Sequence, residues 1–268
     1  MIAYSATLDV PADTAALLTN LLAAERLRRG TGVGTRAASC FDQAVLVLRW
    51  FREDTGMPTL ARDAGVSIAT GYRYLHEGID VLAAQSPHLH QVLEQGKAAG
   101  WTHVTLDGTL IRTDRCRSKN PDTGHDLWYS GKHRHHGGKV QLVCDPEGFP
   151  AAVSDVEPGS THDLTAARRT GFLGALYAAA ALLGLPALAD KGYDGAGAGI
   201  WTPTKGSNLH PDNAANKLIS CLRATGERGA AVLKSRWKAL NRIRLCPQRI
   251  GAIVAAALVL TTAERPIR

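Results

Sequence analysis

Apolar positions recur at helical spacing through residues 1–98, and the texture then changes. In "DTAALLTNLLAAERLRR" the apolar residues form one stripe, with Asp13 or Thr14 placed to cap the helix. The Gly-rich stretch "GTGVG" (Gly30 to Gly34) separates it from "ASCFDQAVLVLRWFRED", a second and strongly apolar helix. Thr59 can cap a short helix "LARDA", Gly65 makes a turn, and Ser67 can cap "IATGYRYLHEGIDVLAA". A short helix, a Gly turn and a Ser-capped second helix are the pattern of a helix-turn-helix. The second helix would then face DNA with Ser67, Ala69, Thr70, Tyr72 and Arg73. An ordinary αα-hairpin has the same spacing.

From residue 99 the pattern is that of strands. "HVTLDGTLIRT" alternates and is β-branched, with Asp107 near its middle or end. "RSKNPDTGHDLWYSGKHRHHGG" is polar and reads as a loop. "KVQLVCDPEGFPAAVSDV" reads as a hairpin with a "DPEG" turn. "EPGSTHDLTAARRTGFLGALYAAAALLG" opens on turn residues and becomes a helix. "PALA" is a short buried strand that stops on Asp190, and "AGIWTPT" is a further candidate. From "DNAANKLISCLRATGERGAAVLKSRWKALNRI" onward the pattern is helical. Strands alternating with helices predict an α/β fold with a mixed sheet. The division expected is a helical DNA-binding domain at 1–98, with the helix-turn-helix at 59–84, and an α/β domain at 99–268, to which the resemblance given below assigns the catalysis.

The formal net charge of +7 favours an anionic partner, of which nucleic acid is the commonest. Cys40, Cys116, Cys144, Cys221 and Cys246 are odd in number and widely spaced, without a C-x-x-C, which fits a reducing cytoplasm. "MIAYSATLDV" lacks the charged start and apolar core of a signal peptide. The apolar runs "GALYAAAALLGLPALA" and "IGAIVAAALVL" are broken or too short for a membrane span and read as core.

A helical crossover that lands "PALA" beside the first strand makes Asp107 and Asp190 neighbours. Two adjacent carboxylates repel unless a cation sits between them, and hard oxygen ligands favour Mg²⁺ or Mn²⁺. Asp190 also reads as a simple turn residue. Further on, Arg223, Glu227, Lys234 and Lys238 are spaced so that one helix would carry them on one face. Such a face suits a metal site over a phosphate backbone, with Glu227 as a third ligand. A solvated helix with an Arg–Glu pair would have the same spacing.

Taken together, "TLDGT", "CDPEGFPAAVSDVEPGSTHD", "LADKGYDG…TPTKG" and R-x-x-x-E-x-x-x-x-x-x-K resemble the DDE transposases of bacterial insertion sequences. The closest subgroup is that related to the Harbinger-like endonucleases, and the likeness runs from about Thr59 to Arg249. The ordered set, with 36 residues between Asp190 and Glu227, is more specific than any single motif. The resemblance implies an RNase H-like core and a two-metal reaction. Asp107, Asp190 and Glu227 are then the catalytic, metal-binding carboxylates, and Arg223 and Lys234 contact DNA. It also implies double-stranded DNA as partner, both element ends and target, with at least a dimer in the DNA complex and a nucleoid-associated, cytoplasmic location. Ser220 stands where the family often has a tyrosine, and Gly226 where it usually has an apolar residue.

Three features have two readings each. Asp163 in "PGSTHD" is a rival for the second carboxylate, or a helix N-cap. The loop with His125, His133, His135 and His136 is a metal cluster, or a basic DNA-facing loop carrying Lys132, Arg134 and Lys139. Trp128 and Tyr129 stack on a base or pack on the core, with Trp128 and Trp237 read as core. The functional readings are a cut-and-paste transposase, a degenerate or domesticated DNA-binding copy, and an RNase H-like nuclease without strand transfer.

Overall fold

The structure is a computed structural model that describes residues 7–121, 123–203, 214–226 and 228–265. Five helices lead: α1 (Ala12–Arg28), α2 (Cys40–Glu53), α3 (Met57–Asp63), α4 (Ile68–Ala83) and α5 (Leu89–Ala98). Ser39 and Asp42 close a capping box on α2, an arrangement that stabilises a helix start by about 1 kcal/mol. Ser67 caps α4 by accepting from the Thr70 N–H, and Gly65 supplies the left-handed residue of the α3–α4 turn at φ +64°. Two expected caps differ. Pro11 stands at the cap position of α1, so neither Asp13 nor Thr14 caps it. The third helix opens at Met57, because Pro58 fits a first helical turn, and Thr59 lies inside it.

Seven strands follow among the described residues: β1 (Val104–Arg112), β2 (Tyr129–Ser130), β3 (His135–Cys144), β4 (Pro150–Val153), β5 (Glu157–Pro158), β6 (Ala187–Ala189) and β7 (Ile200–Trp201). Between β5 and β6 lie α6 (Asp163–Arg169) and α7 (Phe172–Leu183); after β7 come α8 (Ala214–Gly226), α9 (Arg228–Arg236) and α10 (Ile250–Ala263). The order β2-β3-β1-β6-β7 is mixed: β3 is antiparallel to β1, whereas β6 is parallel to both β1 and β7. The region read as one loop up to Gly138 is shorter than expected, since β3 already begins at His135. Gly137 and Gly138 are strand residues, and both positions require glycine because a Cβ on either would run into neighbours, the Ile111 carbonyl at 2.5 Å and Val156 at 2.4 Å.

Strand periodicity sends alternate residues to opposite faces. Val140, Leu142 and Cys144 of β3 and Ile111 of β1 join a core with α1–α4 and α10. Val143, Val104 and Leu106 face a second core with α5 and α7. Both cores cross residue 98: Leu75, Ile79 and Leu82 of α4 share one with Ile253, Val254 and Leu260 of α10, while Val92 and Leu93 of α5 belong to the other. Each fully buried Leu or Ile here is worth about 1.5–3 kcal/mol relative to exposure, so the leading helices are held to the sheet by packing. No helix among the described residues is long and apolar enough to cross a membrane.

Candidate active site

The β1–β6 ladder pairs Leu106 with Ala189, and both side chains enter the α5–α7 core. The next residues on the two strands are Asp107 and Asp190. By the period of two they share the opposite face, on neighbouring strands about 4.8 Å apart. Asp107 accepts from the Gly108 N–H at 2.9 Å. Burial raises its pKa above the ordinary carboxylate range; the Gly108 hydrogen bond opposes this, and the charges of Asp190 and Asp163 add to the rise. Asp190 ends its strand as a turn cap, accepting from the Gly192 N–H at 2.8 Å. The turn role and the place beside Asp107 are therefore properties of one residue.

α8 packs over β1 and β6 on this same face. Gly226 is buried against β1: a Cβ there would lie 2.0 Å from the Thr105 hydroxyl, two positions before Asp107. An apolar side chain at 226 has no room, which accounts physically for the glycine. Arg223 on α8 lies within electrostatic reach of Asp107. Glu227 lies outside the described residues. Lys234 of α9 is turned inward: its ammonium donates to the Thr109 hydroxyl at 2.7 Å and the Leu110 carbonyl at 3.1 Å. Burial lowers its pKa, and Asp107 nearby opposes that. The expectation that Lys238 shares this helix face does not hold. α9 ends at Arg236, and Trp237 leaves helical geometry (φ −112°, ψ 92°) to bury its ring, donating to Thr261 at 2.8 Å. Lys238 opens a short 3₁₀ turn and is exposed.

On the other face, beneath Gly108, sits Asp163. It is the first residue of α6, not its cap, and it is 6 % exposed. Lys139 reaches it at 2.9 Å and Lys132 at 3.3 Å. Burial alone would raise the Asp163 pKa, but the Lys139 hydrogen bond and the charges of both lysines hold it below the ordinary carboxylate range. Lys139 is therefore not on an exposed loop: it is a strand residue, 4 % exposed, that also donates to the Thr161 carbonyl. Tyr193 completes the wall, its hydroxyl donating to the buried Gln141 amide oxygen. Gly108, Gln141, Gly192 and Tyr193 were not singled out from the sequence. The available signal was a glycine directly after one acid and two residues after the other, since a strand glycine marks a close approach.

One comparison with known proteins found a family. The model of the family described as DDE superfamily endonuclease matches residues 106–262, which starts one residue before Asp107 and spans β1 to α10. The chain belongs to the DDE superfamily endonucleases. No match to a curated protein or to a solved structure was found. Enzymes of this family normally use divalent metal ions. Among the described residues no group of three or more His, Cys, Asp or Glu side chains is arranged to hold one. The donor chemistry still fits a hard cation: Asp107 and Asp190 are close, oxygen-bearing and mutually repulsive, with one of them buried.

The remaining candidate residues of this endonuclease lie outside the acid centre. Ser67, Tyr72 and Arg73 are exposed at the start of α4, with Tyr72 41 % exposed. The Thr70 hydroxyl accepts from Arg73 at 2.8 Å. Lys132 and Arg134 occupy the tight turn between β2 and β3, where Arg134 takes a positive φ of 55°. The four histidines of this region do not form a metal cluster among the described residues. Trp128 is buried, and Tyr129 is exposed and packs edge-on against His136.

Proposed function

We propose that the chain is a DNA transposase with an RNase H-like catalytic core, cutting phosphodiester bonds at element ends and transferring the freed strand into target DNA. The observation that carries this reading is the placement of Asp107 and Asp190 on one face at the meeting of two parallel strands, with Arg223 and Lys234 arriving from helices above them. Glu227 is proposed as the third carboxylate; its neighbour Gly226 packing on Thr105 supports that assignment. These acids would hold Mg²⁺ or Mn²⁺, which when bound supplies Lewis-acid stabilisation of phosphate oxygens and lowers the pKa of the attacking water or 3′-OH.

The chain's own groups position the substrate. Arg223, near Asp107, and the exposed Lys132, Arg134 and Lys238 are placed to meet phosphates. Lys234 contributes by holding β1 through the Thr109 hydroxyl and the Leu110 carbonyl. Helices α3 and α4 read the ends through Ser67, Thr70, Tyr72 and Arg73 in the major groove. Double-stranded DNA is the partner, and bringing two ends together requires at least two copies on DNA.

The test is incubation of the purified protein with Mg²⁺ and two DNAs: a labelled duplex from the flanks of its gene and a plasmid target. Nicked flank DNA joined covalently to plasmid supports the proposal. Cleavage without joined product replaces it with a nuclease, and binding without cleavage replaces it with a DNA-binding module.

A further inference from the structure

The acid pair has a built floor. Asp163 lies under two glycines, Gly108 directly after Asp107 and Gly192 two residues after Asp190. A Cβ on Gly108 would meet the Asp163 carboxylate at 2.7 Å and the Tyr193 hydroxyl at 2.9 Å. A Cβ on Gly192 would meet Asp190 at 2.8 Å and the other Asp163 oxygen at 3.5 Å. Each Asp163 oxygen is engaged by a lysine, Lys139 on one and Lys132 on the other. Lys139 is a buried cation in β3, two residues before the buried Gln141, and its carboxylate partner comes from the start of α6. Burial raises the pKa of the Tyr193 hydroxyl, and the charges of Asp163, Asp107 and Asp190 add to the rise.

We propose that Asp163 is a positioning residue of this site and not one of its metal ligands. It acts through Lys139. By pairing with that buried ammonium it keeps the cation off Asp107 and Asp190, the former of which already feels the charge of Asp163. The acid pair then retains its negative charge for a divalent ion. Both Asp163 oxygens are spent on lysines, and the carboxylate approaches β1 from the face opposite Asp107. The inference rests on the proposed function, since it takes the acid pair to be the metal site.

Mn²⁺ binding to the full chain without DNA, followed by the electron paramagnetic resonance of free Mn²⁺, tests it alongside thermal unfolding. Asp163→Asn leaves Lys139 with Asp107 and Asp190 as its counter-charges, and Mn²⁺ affinity should fall by about tenfold or more. The double variant Lys139→Met/Asp163→Asn removes the intruding cation as well, and affinity should return to within about threefold of the parent. A ligand role for Asp163 leaves the double variant as weak as the single one, which overturns the proposal. A merely architectural role lowers the melting temperature of Asp163→Asn without weakening Mn²⁺, which also overturns it. If Asp163→Asn does not fold, the double variant against the parent carries the test alone, and loss of binding there overturns it. A parent chain that takes up no Mn²⁺ overturns the proposed function itself, and this inference with it.

Discussion

Asp107 and Asp163 are carboxylates of one centre, set against opposite faces of the same strand, and their surroundings are inverted. Asp163 sits between Lys139 and Lys132, and its pKa is held down although burial pushes the other way. Asp107 has burial and two like charges, Asp190 and Asp163, against one backbone hydrogen bond and the charge of Arg223, and its pKa rises. The chain thus sets a lysine directly on Asp163, whereas burial dominates at Asp107 and the charge of Arg223 only partly opposes it. A buried acid with its own lysine is a finished structural element. A half-buried pair of acids that repel each other is a place where a cation from solution has most to gain.

That contrast can be broken from either side. The largest effect on stability is expected for Lys139→Met, which leaves Asp163 without its nearest cation. Urea unfolding should show a loss of about 3 kcal/mol, with much of it recovered in Lys139→Met/Asp163→Asn. Gly108→Ala comes next. Its methyl group would press on Asp163 and Tyr193, so unfolding should show a loss of about 2 kcal/mol. Asp107→Asn should act in the opposite direction, raising the stability of the metal-free chain by about 1 kcal/mol while removing the stabilisation that added Mg²⁺ gives the parent.

The smallest effect is the pH dependence, where the two acids differ in sign. The raised pKa of Asp107 means its contribution favours folding below about pH 4 and is lost as pH rises through the folded-state value. The advantage of Asp107→Asn should therefore be present at pH 7 and fade as pH falls toward 4. The lowered pKa of Asp163 means its pair stabilises above about pH 4 and fails only as pH falls below that. Equilibrium unfolding of the parent and both Asn variants between pH 3 and pH 8 measures this.

Much of this arrangement was legible before the fold was known, and the reasons are physical. "PALA" is short, apolar and bounded by Pro186 and Asp190, so its burial and the acid at its end follow from composition. The helix starts at Ser39 and Ser67 follow from side-chain capping, a local interaction. The pairing of Lys139 with Asp163 was not legible, because a lysine at the junction of a basic loop and a strand reads as facing solvent until β3 is known to begin at His135. The end of α9 at Arg236 was hidden for a similar reason. Helical spacing continues through Lys238 in the sequence, but burial of Trp237 against α10 overrides it. The proposed boundary at residue 98 followed a change of texture, whereas packing joins α4 to α10 across it.

The most direct test of the account is Mg²⁺-dependent nicking of DNA from the flanks of the gene by the parent, Asp107→Asn and Asp190→Asn. The account predicts that chelation abolishes nicking by the parent, and that each variant still binds the DNA but cuts it about a thousandfold more slowly. Variants that cut as fast as the parent would contradict it, because the acid pair would then hold nothing that the reaction needs.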